Sequence, residues 1–202
     1  MTSPQVYGAP GGSLDSAGFD AGRVAAGKTG EVKTAALLAA TFAGCGDVAI
    51  FHDLAVPGEG TVANVDHLVL RGRRAIVVDS KFWKAGFYWG TPGSTLGIRR
   101  GFARFEPAEK RLVGFAVDRW QSTFDSVTGT NPNRRIHVSG LIVVWPSTED
   151  GKVRLWAARA ADKVLFRSAD RAETTLRHLA GRPGDVPGNA LEAAHRRLLT
   201  GR

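Results

Sequence analysis

Cysteine occurs once in the 202 residues, at Cys45. A single thiol excludes an internal disulfide and any zinc site built from several cysteines. It is compatible with a reducing, cytoplasmic interior. Long apolar runs are missing as well. None approaches the ~20 residues of a membrane span, so no membrane association is expected. The opening M-T-S-P-Q-V-Y-G-A-P-G-G-S has neither a basic start nor an apolar stretch, and no signal peptide is expected there. Acids are in deficit, with 19 Asp and Glu against 27 Lys and Arg, a formal charge of +8. An isoelectric point near 10.2 favours an anionic partner, nucleic acid foremost. A merely basic surface is the alternative. No pair among His52, His67, His137, His178 and His195 stands as His-x-His, so a relaxase of the paired-histidine type is not supported. Tyrosine is scarce too: Tyr7 falls in a flexible stretch and Tyr88 in a loop, poor places for a nucleophile. Cys45 stands between glycines with no evident histidine partner and reads as a small packed residue.

What is present begins with a stretch rich in Gly, Ser, Ala and Pro, residues 1–22, which reads as a flexible tail. Helical spacing starts at Gly27 and runs to Thr41, through Val32, Ala35, Ala36, Leu38 and Ala39, with Phe42 following in register. Glu31 then falls in the first turn, where a negative charge suits the helix dipole. Gly44 and Gly46 end the helix. Three strands are expected at 48–54, 62–70 and 75–82. Arg71-Gly72-Arg73 reads as a turn that makes the second and third a hairpin. Residues 83–106 suggest a short hairpin with a long loop. Glu106-Pro107 can open a second helix over 107–128, with Leu112, Phe115, Ala116, Trp120 and Phe124 in its pattern. A strongly apolar strand follows at 138–145 and another at 152–158. Residues 162–180 read as a loop and a helix, 181–188 as a break, and 189–200 as a basic helix. The division expected is a tail (1–22), a mixed α/β domain with helices on its sheet faces (23–180), and a C-terminal linker and helix (181–202). No internal repeat is apparent.

The chemistry concentrates in I-V-V-D-S-K-F, residues 76–82. Positions i and i+2 share one face of a strand, so Asp79 and Lys81 project side by side. The hairpin brings Asp66, in N-V-D-H-L-V-L, to the same end as Asp79. Two carboxylates there repel unless a cation lies between them, and hard oxygen ligands suit Mg²⁺ or Mn²⁺. Lys81 would then face a phosphate or an attacking water and stabilise charge developing in phosphodiester cleavage. A structural salt bridge between Asp79 and Lys81 is the other reading, and Glu31 could simply stabilise a helix start. His67 points away from Asp66 and reads as structural or supporting.

In this order and spacing, G-K-T-G-E (27–31), V-D-H (65–67) and D-S-K (79–81) resemble the nuclease-related domain, or NERD, family. That family belongs to the PD-(D/E)xK, restriction-endonuclease-like superfamily, and the likeness covers roughly residues 27–160. The resemblance implies an α/β fold with a mixed central sheet flanked by helices. It implies a metal-dependent DNA endonuclease or nickase in which Asp66 and Asp79 bind Mg²⁺ or Mn²⁺. Lys81 would support the nucleophile and Glu31 supply a further carboxylate. Asp79 stands where the family usually has Glu. Gln121, in D-R-W-Q, falls on the second helix, where related nucleases often carry a supporting Gln; an ordinary exposed helix residue is the alternative.

Two rivals use the same residues. G-R-V-A-A-G-K-T, 22–29, fits the phosphate-loop pattern G-x-x-x-x-G-K-[ST], yet that mechanism needs a buried strand just before the loop, and G-G-S-L-D-S-A-G-F-D-A cannot supply one. A non-catalytic DNA-binding module of a plasmid or phage nucleoprotein assembly is the second rival, though it would not require the acids and the lysine. For DNA phosphates the candidates are Arg99, Arg100, Arg104, Lys110, Arg111, Arg134 and Arg135. The aromatics of F-W-K-A-G-F-Y-W-G, 82–90, could stack on unpaired bases or cover a sheet edge.

Overall fold

The structure, a computed structural model, describes residues 2–12, 21–58, 63–90, 98–100, 103–105, 109–156 and 164–200. Two sheets organise it. The larger has six strands in the order β1 (Gln5–Tyr7), β2 (Val48–Ala55), β3 (Asn64–Arg71), β4 (Arg74–Trp83), β8 (His137–Pro146) and β10 (Val164–Ser168). The smaller has four, β7 (Ala103–Phe105), β6 (Ile98–Arg100), β5 (Gly86–Gly90) and β9 (Val153–Trp156). Helices α1 (Ala21–Thr41), α2 (Glu109–Thr128), α3 (Ala169–Ala180) and α4 (Gly188–Thr200) cover the larger sheet. This is the α/β, restriction-endonuclease-like architecture expected, a mixed central sheet flanked by helices.

Strand alternation sorts the core into two layers. Phe51, Leu68, Leu70, Ala75 and Val77 face Val113, Val117, Trp120 and Phe124 of α2 and Ala190 and Ala194 of α4. Val48, Ile50, Val69, Ile76 and Val78 face Leu38 and Phe42 of α1 and Ala172 and Leu176 of α3. β8 lies parallel between β4 and β10, buried on both faces, which is why L-I-V-V reads as a continuous apolar run rather than an alternation. Gly140 makes this packing possible. A Cβ there would stand 2.9 Å from a Val164 methyl and 3.0 Å from one of Val113, squeezed between β10 and α2.

The hairpin of β3 and β4 forms around Gly72, whose φ of 52° is the left-handed value a tight turn requires. Several expectations change, however. Residues 5–7 are a strand, parallel to the edge of β2, so 1–22 is not simply a tail; residues 13–20 lie outside those described. α1 starts at Ala21, which moves Glu31 from the first turn to the middle of the helix and removes the helix-dipole explanation for it. Residues 22–29 are part of that helix and form no phosphate loop. The stretch read as loop before α3 contains β10, paired along its length with β8. Residues 83–105 contain the antiparallel hairpin expected, β5 with β6, and extend it by β7 into a second sheet; Glu106 and Pro107 lie outside the described residues. α4 buries Ala190 and Ala194 against the larger sheet and α2, so 188–200 packs as part of the same core rather than as an appendage.

A candidate active site in a fork of the central sheet

β3 and β4 pair from Arg71↔Arg74 as far as His67↔Val78, and there the ladder stops. Beyond that point β3 stays with β2, to Asn64↔Ala55, and β4 stays with β8, to Trp83↔Pro146. The sheet forks. Asp66 and Asp79, the next residues on each arm, occupy the mouth, and Lys81 follows on the arm of β4. In place of a ladder bond, the Ser80 N–H donates to Asp66 Oδ2 at 2.7 Å. Lys81 Nζ lies 2.9 Å from Asp79 Oδ1 and 2.9 Å from Oδ2, with the two side chains 24% and 15% exposed. The salt bridge allowed by the sequence is therefore made, inside the same cluster as the second acid.

Glu31 reaches the site from α1. Gly30, just before it, lets the helix come down on β4: a Cβ there would sit 2.9 Å from the Phe82 ring and 3.6 Å from Ser80 Cβ. The glycine of G-K-T-G-E is thus a close-approach residue. Thr34, one turn on, accepts from Ser80 Oγ at 2.8 Å and from Trp145 Nε1 at 2.9 Å, tying α1 to β4 and β8. The Glu31 carboxylate accepts the Gly11 N–H at 2.7 Å, so the N-terminal segment also closes on the site.

Electrostatics mark these acids as unusual. Burial pushes Glu31 up to about 7, reinforced by Asp53 and Asp79 and opposed by the Gly11 N–H and Lys81. Asp66 is raised well above the ordinary carboxylate range, first by burial and then by Asp79; Lys81 and the Ser80 N–H oppose this. Strongly perturbed carboxylates converging at one point are a recurrent mark of functional sites. As donors they are hard oxygens of the type Mg²⁺ and Mn²⁺ accept. Among the described residues, however, no group of three or more His, Cys, Asp or Glu side chains is gathered closely enough to hold a metal ion.

One acid was missed by sequence reasoning. Asp53 lies on β2 opposite Asp66 and has a φ of 53°, the left-handed value that Asp tolerates better than most residues. Its carboxylate accepts from Asn64 Nδ2 at 3.1 Å and bears on Glu31. The signal available was a charged residue interrupting the apolar run V-A-I-F-H-D-L-A. On the other face of the sheet, His67 and His52 share a hydrogen bond at 2.8 Å between their Nδ1 atoms. Burial lowers His67 to about 3 and keeps it neutral, and its Nε2 has no partner among the described residues.

Gln121 is not brought to the acids. Its Nε2 donates to Ile136 O at 2.7 Å and Asp125 Oδ1 at 3.0 Å, and its Oε1 accepts the Val138 N–H at 3.0 Å. Val138 pairs with Ala75, at the opposite end of β4 from Lys81. Gln121 ties α2 to the start of β8. Arg135 is held at that same remote end by a two-armed contact with Asp125, both N–O distances 2.9 Å, and Arg134 is exposed beside it. Arg99, Arg100 and Arg104 fall on β6 and β7, and Lys110 and Arg111 in the first turn of α2. Cys45 is a free thiol in the turn after α1.

A family model described as nuclease-related domain matches residues 26–111, less than half of the chain, which include most of α1 and all of β2, β3 and β4. No curated protein and no solved structure matches. Among the described residues no helix is long and apolar enough to cross a membrane.

Proposed function

We propose that this chain, matched over residues 26–111 by a nuclease-related-domain model, hydrolyses DNA phosphodiester bonds with a divalent cation, Mg²⁺ or Mn²⁺, acting as an endonuclease or nickase in the cytoplasm. The observation that carries the reading is the fork, which sets Asp66, Asp79 and Lys81 together where β3 and β4 part. Asp66 and Asp79 would hold the ion, and the ion would polarise the phosphate and favour ionisation of the attacking water. In the reaction the water oxygen bonds to phosphorus, one ester P–O bond breaks, and the leaving oxygen gains a proton. Lys81, anchored by Asp79, presents a fixed positive charge to the extra negative charge of the transition state. Glu31, pushed up to about 7 by burial, would take up a proton or supply a further oxygen to the cation's water shell.

The Asp79–Lys81 ion pair, together with the lack of a gathered three-acid cluster among the described residues, gives one specific reason to consider a second reading. A non-catalytic DNA-binding module would keep the pair for structure alone. Supercoiled plasmid incubated with Mg²⁺, Mn²⁺ or EDTA separates the two. Metal-dependent nicking by the wild type, lost in Asp79→Asn and reduced roughly 10²-fold or more in a folded Lys81→Ala protein, supports the nuclease. Undiminished cleavage by folded Lys81→Ala would remove this site from the chemistry.

A further inference from the structure

The smaller sheet has two unlike faces. Tyr88 and Val153 point inward, 2% and 6% exposed, and the Tyr88 ring lies 4.9 Å from that of Trp83 at the end of β4. The opposite face is set by register. Phe87 pairs with Arg154 and Trp89 with Trp156 across the parallel β5–β9 ladder, so these four residues share one side. Trp89 also pairs with Arg99, and Arg99 with Arg104, which carries the backbone ladder across β6 and β7. Phe87 and Trp156 are 48% and 63% exposed, and the Phe87 and Trp89 rings are tilted against each other at 5.7 Å. Arg154 is exposed on the same side.

Exposing two large aromatic side chains on a basic sheet is costly in water unless something covers them. The choice of residues indicates what. A purely apolar partner gains nothing from Arg154, whereas a duplex presents its phosphates and buries the faces of its bases. A nucleic-acid strand with unpaired bases offers both flat π-surfaces and a phosphate chain, the two chemistries alternating on this face. Only Lys84 and Ala85 separate the strand carrying Asp79 and Lys81 from the strand carrying Phe87 and Trp89. We propose that the outer face of the smaller sheet, formed by Phe87, Trp89, Trp156 and Arg154, is a stacking platform for single-stranded nucleic acid. It deepens the nuclease reading and rests on it: the substrate engaged beside the fork contains unpaired bases.

Binding is measured in EDTA, so that cleavage plays no part, using a fluorescent oligothymidylate and a blunt duplex of equal length. The wild type should bind the single strand more tightly than the duplex, and the oligonucleotide should quench tryptophan emission. Trp156→Ala and Phe87→Ala should each weaken single-strand binding by roughly 5- to 100-fold, the scale of one lost stacking contact. Trp156→Phe should retain most of the affinity, and Arg154→Ala should lessen the salt dependence. The quenching requires no variant and so does not depend on any substitution folding. Equal affinity for duplex, no quenching, or unchanged binding by Trp156→Ala would overturn the platform. Self-association of the wild type that Trp156→Ala abolishes, without quenching by oligonucleotide, would overturn it too, and would assign the face to a protein contact. Failure of the nuclease reading is distinguishable: binding and quenching would persist while no plasmid is cut in Mg²⁺ or Mn²⁺.

Discussion

Asp66 Oδ2 accepts the backbone N–H of Ser80 at 2.7 Å, across the gap where β3 and β4 part. A side chain thus completes the hydrogen bonding that the ladder abandons, and the strands separate without leaving a buried donor unpaired. The same bond fixes one carboxylate against the strand that carries Asp79 and Lys81. The fork follows from a local exchange of partners and carries a cost, which the titration behaviour of its acids makes measurable.

Glu31 titrates near 7 in the fold against an ordinary 4.5. Between those values the folded protein holds a proton that the unfolded chain has released, so stability falls as pH rises through the window and is lost above about 7. His67, lowered to about 3, acts oppositely: its contribution is present above the ordinary 6.5 and is lost as pH falls toward 3. Glu31→Gln should therefore stabilise the metal-free protein at pH 8 by about 1–3 kcal/mol and change it little at pH 4.5. Urea unfolding at the two pH values checks this; equal shifts at both would show that Glu31 is not protonated in the fold.

Metal binding should carry the same signature. Asp66 and Glu31 must shed protons held by burial before they can serve a cation. Mn²⁺ affinity should rise between pH 6 and 8, with protons released on binding. Calorimetric titration in buffers of differing ionisation enthalpy measures the release, and a flat, proton-neutral profile would exclude these acids from the binding step.

Gln121→Ala is expected to cost about 2 kcal/mol, because it strands the Val138 N–H and the Ile136 carbonyl and frees one edge of α2. Nicking per folded molecule should stay at the wild-type level. A loss of rate in a stable Gln121→Ala protein would show that this end of the sheet communicates with the fork.

Deletion of residues 1–12 should matter more than a tail would. It removes β1 from the edge of β2 and takes the Gly11 N–H from Glu31. Since that donor holds Glu31 down, its loss should raise the residue further and extend the alkaline fall in stability to higher pH. Thermal melts across pH 5–8 compare the two chains, and superimposable curves would dissociate the segment from the site.

The parts of the fold legible in sequence were those with long apolar patterns. V-A-I-F, L-V-L and A-I-V-V gave three strands, and the Arg71–Arg73 turn gave their hairpin, so the meeting of Asp66 and Asp79 could be read directly. β1 was not legible, because three residues in a Gly- and Pro-rich stretch have no pattern; the edge of β2 makes them a strand. β10 failed for a related reason, being five residues whose partner, β8, lies far upstream. Glu31 was identified for the resemblance it carries, but its surroundings were misjudged, since α1 begins six residues earlier than Gly27. Gln121 shows the limit of position alone: its place on α2 fitted a supporting role, and only its three hydrogen-bond partners show that it serves the far end of β8.

The parallel pairing of β4 with β8 has a kinetic consequence. β2, β3 and β4 are consecutive and can zip together as soon as they exist. The outer edge of β4 must wait for β8, which arrives only after β5, β6, β7 and all of α2. Non-local parallel pairing of this kind is slow to form. During synthesis the strand bearing Asp79 and Lys81 therefore spends a period with one side unpaired, as an apolar template open to a neighbouring chain. Its charged end is the least adhesive part of that edge, so the residues assigned to chemistry also guard the strand while its partner is still being made.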